Sequence, residues 1–251
     1  MGSALSPSEL SLERLIPDQL TDTDATGAAT LELHLARYRF ARGFIHGGRV
    51  LDCACGVGYG SALMAGAERK PGEVVGVDID PKAVAYAIRT YAAERVSFKV
   101  GDGTALTDPA GFDTIVSLET VEHVPDPAAL LANFVRLLNP GGTLIASVPV
   151  TPSVDVNPYH LHDFTERSFR ALGASLGLVE IDSLAQRQPF DPWKIASGKE
   201  ARLDDMRKGM PLYYAQHPRA LTKRLWSTVR DGFCNKYLTI AWTKGADQPV
   251  N

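Results

Sequence analysis

From residue 49 onward, short apolar runs alternate with longer stretches in which apolar residues recur every three or four positions. The runs "RVLDCAC", "EVVGVDI", "VSFKV", "FDTIVSL" and "TLIASVPV" read as five strands apolar enough to be buried on both faces. Between them, "YGSALMAGAE", "PKAVAYAIRTYAAE" and "PAALLANFVRLLN" read as helices, the second opened by Pro81 and the third stopped by "PGG". After a polar loop over residues 150–165, "TERSFRALGASLG" returns to helix, and "LVEIDSLAQ" and "KYLTIAWTK" supply a sixth and a seventh strand. Alternation of this kind predicts an α/β fold: a seven-stranded, mostly parallel sheet with helices on both faces.

Two segments depart from the rhythm. Residues 1 to about 26 are rich in Ser, Thr, Asp and Pro and read as a loosely ordered arm. "ATLELHLARYRFARGFI" follows, with Leu31, Leu35, Tyr38 and Phe44 near helical spacing, so residues 1–48 are expected to form an arm and a helical cap ahead of a catalytic domain over 49–251. Residues 186–235 show no clean strand and read as an insertion or lid on the acceptor side, where Phe190, Trp193, Tyr213, Tyr214 and Trp226 either line a pocket or pack the lid itself.

The 251 residues suffice for one sizeable core. A net charge of −3 argues against a surface built to hold nucleic acid, although residues 186–235 carry ten Lys or Arg against five Asp or Glu. Cys53, Cys55 and Cys234 form no disulfide framework, and no apolar run approaches the roughly 20 residues of a membrane helix. A soluble protein of the reducing cytoplasm is expected, with no membrane partner and with a homo-oligomer left open.

The chemistry gathers at the strand ends. In "VLDCACGVGYG", Gly56, Gly58 and Gly60 follow a buried strand and open a helix, where glycine lets the backbone turn sharply and approach a ligand beside free N–H groups. Asp52 ends the first strand, Asp78 the second and Asp102, followed by Gly103, the third. One such acid alone reads as a solvated loop residue, but three at successive strand ends mark the edge where open α/β sheets bind ligands. These stretches, with "FDTIVSLETVEHVPDP" and "LLNPGGTLIASVP", resemble the class I S-adenosylmethionine-dependent methyltransferases in order and spacing over roughly residues 49–185. A nicotinamide-binding enzyme of Rossmann type would carry G-x-G-x-x-G, whereas the spacing here is Gly56-x-Gly58-x-Gly60. The resemblance implies a Rossmann-like fold and S-adenosylmethionine as cofactor. It implies Asp52, Gly56 and Gly58 near the methionine part, Asp78 at the ribose, and Asp102 with Gly103 at the adenine.

"SLETVEHVPDP" then sets Glu119, Glu122 and His123 at the end of the fourth strand, and "NPYHLHDF" sets His160 and His162 on the loop after the fifth. Carboxylates and imidazoles together suit a divalent cation (Mg, Mn, Fe or Zn), with imidazole tilting the preference away from Mg²⁺. The pattern E-x-x-E-H with a distant histidine resembles two metal-dependent groups, the small-RNA 3′-terminal 2′-O-methyltransferases and the O-methyltransferases of ubiquinone biosynthesis. Carried over, it implies Glu119, Glu122, His123 and His160 as ligands. It also implies an acceptor with neighbouring hydroxyls, a vicinal diol or catechol. "NPYHLHDFT" and "ERLIPDQ" are similar to bacterial methyltransferases of sugars and secondary metabolites, so a polyhydroxylated small molecule is the expected acceptor. His162 or Asp163 are candidates to take the hydroxyl proton. The competing readings are a cation-independent methyltransferase with His123 or His160 as base, and a non-catalytic cofactor-binding subunit.

Overall fold

The computed structural model describes residues 25–193 and 206–244, so the predicted arm lies almost wholly outside the described residues, as does the middle of the predicted lid. Seven strands form one sheet: β1 Arg49–Cys53, β2 Glu73–Asp78, β3 Val96–Val100, β4 Phe112–Leu118, β5 Leu138–Pro149, β6 Leu178–Pro189 and β7 Cys234–Lys244. Their order is β3-β2-β1-β4-β5-β7-β6, with β7 antiparallel to both of its neighbours. The chain leaves β1 towards β2 on one side and takes up β4 on the other. The crevice between the carboxyl ends of β1 and β4 is therefore the topological switch point where such sheets bind ligands.

Side-chain alternation along the strands feeds two cores. Val50, Val74 and Val116 point to one face, beneath helices α1 (Ala25–Arg42), α2 (Tyr59–Ala65) and α3 (Pro81–Tyr91). Leu51, Val75 and Ile115 point to the other, beneath α4 (Pro127–Leu137) and α5 (Glu166–Ser175). Local chemistry fixes where the helices begin. The carboxylates of Asp80 and Asp126 accept from the N–H groups of Lys82 and Ala129, each at 2.9 Å, with a proline at the first helical position. Thr165 and Ser168 close a capping box on α5.

Two boundaries differ from expectation. β6 runs to Pro189 and β7 starts at Cys234, because their antiparallel ladder continues through Gln186↔Tyr237 to Pro189↔Cys234. The insertion therefore begins at Phe190, and it carries α6 (Met210–Gln216) and α7 (Pro218–Asp231). The "LNPGG" stretch, expected to end the helix and stop it ahead of a strand at "TLIASVPV", is already strand: Leu138 pairs with Phe112 across a register shift. α7 is pinned to the loop after β5 by Arg224, whose Nη2 and Nε donate to the buried Asp155 carboxylate at 2.6 and 2.9 Å. No helix among the described residues is long and apolar enough to cross a membrane.

At Gly58 backbone and packing together exclude a side chain. Its φ is +91°, and a Cβ would lie 2.7 Å from Ala87 Cβ and 2.8 Å from the Phe98 ring. Gly58→Ala is expected to cost about 3 kcal/mol of stability, combining left-handed backbone strain with overpacking, measured by urea denaturation at equilibrium. Gly56 has φ +54° but nothing within 4 Å of the missing Cβ. Gly56→Ala should therefore cost only the backbone strain of roughly 1–2 kcal/mol while placing a methyl group in the cleft.

Candidate active site

A cleft of about 1440 Å³ opens along the carboxyl edge of the sheet and runs past the ends of β3, β2, β1 and β4. Gly56, Asp78, Asp102 and Gly103 border it. Asp78 ties the first two strand ends together: its Oδ2 accepts from Gly56 N–H at 2.8 Å and its Oδ1 from Asp80 N–H at 2.9 Å, with lone pairs left over on each oxygen. Asp102 turns one oxygen back to Thr104, whose N–H and hydroxyl donate at 2.8 and 2.7 Å, and the residue is exposed. Ile79, 70% exposed, borders the cleft beside them as an apolar surface. The open space at Gly56 and the two-oxygen acceptor at Asp78 fit a nucleoside with a ribose diol.

Asp52 and Gly58, expected near the methionine part, do not border the cleft. Asp52 is turned into the protein, where Ser61 Oγ and Tyr38 Oη donate to it at 2.6 and 3.3 Å. Burial pushes its carboxyl up to about 7 against the lowering pull of those two hydrogen bonds. It braces the turn and the α1–α2 contact from below.

At the end of β4 the chain enters a short 3-10 turn, Val121–His123. The N–H groups of Leu161 and His162 donate to the Glu122 carbonyl at 2.8 and 3.3 Å, which clips this turn to the loop after β5. One ligand atom from each of Glu122, His123 and His160 then lies within 4.8 Å of the others. Glu122 is fully buried, with Oε1 3.9 Å from His123 Nε2. His123 Nδ1 donates to the Tyr159 carbonyl at 3.2 Å, which leaves Nε2 with its lone pair, the tautomer a metal ligand needs. His160 Nδ1 is 2.8 Å from Ser153 Oγ, and the two imidazoles meet edge to face at 4.6 Å. Burial, and then His123 beside it, drop the His160 pKa to about 4, so its ring is neutral at pH 7.

The fourth expected ligand is engaged elsewhere. Glu119 holds a left-handed backbone, φ +50°, with its N–H donating to Ser147 Oγ at 3.0 Å. Its Oε1 accepts from Ser147 Oγ at 2.7 Å and stands 3.5 Å from Arg37 Nη1. The proposed proton acceptors are likewise directed away. His162 Nε2 donates to the Val124 carbonyl at 3.0 Å. Asp163 Oδ1 accepts from the N–H groups of Ser153 and Val154 at 2.9 and 3.1 Å, and the residue borders a separate cavity of about 640 Å³ with Tyr213 and Lys223. Both residues shape the loop that carries His160.

Of the five aromatic residues singled out in the insertion, Phe190 borders the cleft. Trp193 and Trp226 are 80% and 67% exposed, so they neither line the cleft nor form a lid core. Tyr214 donates to Asp155 at 2.7 Å, and Tyr213 stacks on His217. The polar residues of α1 that border the cleft, Thr30, His34 and Arg37, went unassigned in the sequence. A signal for them existed: His34 and Arg37 lie three apart on a helix whose neighbouring positions are apolar.

The profile of a family described as "Methyltransferase domain" matches residues 46–183. A probable S-adenosylmethionine-dependent methyltransferase of Mycolicibacterium smegmatis is 29% identical over 184 residues, 70% of this chain and 66% of that protein. The ubiquinone biosynthesis O-methyltransferase of Xanthomonas campestris is 38% identical over 115 residues, 44% of this chain and 46% of that protein. The chain thus spans about half to two thirds of the length of these relatives. Among solved structures, the N-methyltransferase NodS of Bradyrhizobium japonicum in complex with S-adenosyl-L-homocysteine superposes with a TM-score of 0.58 at 15% identity, covering 89% of each chain. That likeness concerns the fold, whereas the profile covers more than half of this sequence and contains the glycine turn, Asp78, Asp102 and the β4 end. The chain belongs to the class I S-adenosylmethionine-dependent methyltransferases.

Proposed function

We propose that this methyltransferase is divalent-cation-dependent and methylates one hydroxyl of a small polyhydroxylated acceptor, a vicinal diol or catechol. The observation that carries the reading is the convergence of Glu122, His123 and His160 at the β4 edge. Two imidazoles and one carboxylate suit Mn²⁺, Fe²⁺ or Zn²⁺ and leave several coordination positions for other oxygens. The sulfonium cofactor supplies an activated methyl group. A divalent cation supplies Lewis acidity that lowers the pKa of an acceptor hydroxyl.

The chain's own residues do the positioning. Asp78 receives the ribose hydroxyls while holding the Gly56 turn, and Asp102 serves the adenine end. The Tyr159 carbonyl and Ser153 orient the two ligating imidazoles, and the Glu122 carbonyl fixes the distance between the loops that carry them. Beyond them the cleft wall offers Asn157, Gln188, Asn235, Tyr237 and Phe190, neutral hydrogen-bonding groups and rings that suit a hydroxylated acceptor better than an anionic one. A second reading, without a cation, makes His160 a general base; its place on the cleft wall favours it, while the drop of its pKa to about 4 by burial makes it a weak one.

A screen of catechols, glycosides and amines with methyl-labelled cofactor separates these readings. After exhaustive EDTA treatment, label transfer to a diol or catechol should vanish and return with Mn²⁺. Transfer that survives EDTA at full rate, or that goes only to amines, would contradict the proposal.

A further inference from the structure

Beyond the β4 edge, the cleft is walled by three elements. Thr30 comes from α1, Gln188 from the end of β6, Phe190 from just past it, and Asn235 and Tyr237 from the start of β7. β7 meets β5 through Tyr237↔Pro149, and the Lys236 carbonyl accepts from Val150 N–H at 2.8 Å. This wall therefore stands at the root of the loop that carries His160. Most of it is wired to itself: Tyr237 Oη donates to Gln188 Oε1 and Gln188 Nε2 donates to Thr30 Oγ1, each at 2.9 Å. Asn235 is the exception. It pairs with Gln188 through the backbone ladder, is half-buried at the cleft, and its amide has no hydrogen-bond partner among the described residues. The side chain presents two donors and an acceptor to whatever fills the space.

We infer that the acceptor is a neutral sugar ring and that Asn235 reads a hydroxyl beyond the two at the cation, an inference that rests on the diol reading of Glu122, His123 and His160. A hydroxyl donates and accepts at once, and a carboxamide answers both. A catechol has two oxygens, and that reading commits them both. Its ring would strip water from Asn235 without pairing it, and a site that hydrogen-bonds a substrate hydroxyl strongly rejects the analogue lacking it. A pyranose brings further hydroxyls and keeps an apolar C–H face for Phe190, whose ring is braced edge to face by Phe233 at 6.0 Å between centroids. Arg224 borders this part of the cleft but is neutralised by Asp155, so a phosphorylated ring finds no spare charge there.

The test offers methyl-labelled cofactor and Mn²⁺ with the methyl pyranosides of glucose, mannose, galactose and rhamnose. Catechol and cyclohexane-1,2-diol, which have two oxygens and no third, are the controls. The best pyranoside should exceed both controls on the order of 100-fold in kcat/KM. Asn235→Ala should cut that ratio about tenfold, and should weaken binding of the same pyranoside to the S-adenosylhomocysteine-bound protein by a similar factor in calorimetric titration. A control that matches or exceeds every pyranoside in Mn²⁺-dependent transfer would overturn the sugar assignment while leaving the cation reading standing. An unchanged ratio in a folded Asn235→Ala would overturn the role of Asn235, and the wild-type comparison holds whether or not the variant folds. Transfer undiminished by EDTA would be a different failure, that of the cation on which the count of two committed oxygens rests.

Discussion

Replacing His160 with alanine is expected to weaken Mn²⁺ binding by at least the roughly 100-fold seen when a ligand's supporting partner is removed. On a diol or catechol acceptor it should remove about 4 kcal/mol of transition-state stabilisation, roughly 1000-fold in rate. The expectation follows from the count of donors: three side chains converge, so losing one leaves two. Glu122→Gln should be similarly severe, because the carboxylate is fully buried between the loops and the amide presents a single neutral oxygen. Glu119→Gln provides the contrast. Its carboxylate is engaged by Ser147 and Arg37, so Mn²⁺ affinity should change less than about threefold. Calorimetric titration of metal-stripped proteins, each checked for fold by circular dichroism, reads all three. If Glu119→Gln proved as damaging as His160→Ala, the cation would recruit Glu119, and the three-donor site would be incomplete.

Asp78→Ala is expected to lower the affinity for S-adenosylhomocysteine by at least about 100-fold. Two losses add. The ribose hydroxyls lose a charged acceptor, and the N–H groups of Gly56 and Asp80, held at 2.8 and 2.9 Å, lose the anchor that shapes the turn. Asp78→Asn keeps one acceptor oxygen and should cost roughly tenfold. Calorimetry with the homocysteine product avoids turnover. Binding within threefold of wild type by a folded Asp78→Ala would exclude a ribose role for this carboxylate.

The strands that carry the site were legible because burial on both faces leaves continuous apolar runs, and because Asp78 and Asp102 punctuate them where the sheet ends. Glu122, His123 and His160 were legible as ligand types on two loops at one edge. Glu119 was not separable from them: spacing puts it three residues from Glu122, while its actual partners, Arg37 and Ser147, come from 82 residues before and 28 after in the chain. The placing of His162 and Asp163 off the cleft lining was hidden for a similar reason. Their side chains hydrogen-bond to Val124, Ser153 and Val154, contacts that only the folded loop reveals. Asp52 looked like a cleft residue by position, yet strand alternation and the hydroxyls of Tyr38 and Ser61 draw it inward. Arg37 went unnoticed because one of three arginines on a cap helix, with Arg39 and Arg42, reads as part of a solvated face, and its burial depends on Gln186 and Tyr237 from the far end of the sheet.

The central claim, a cation held by Glu122, His123 and His160 beside the methyl donor, meets its most direct test in anomalous diffraction from crystals grown with Mn²⁺ and S-adenosylhomocysteine. The predicted result is one peak per chain within coordination distance of those three side chains, with Glu119 still on Arg37. A cleft with the homocysteine bound but no anomalous peak, or a peak with His160 turned away from it, would contradict the account.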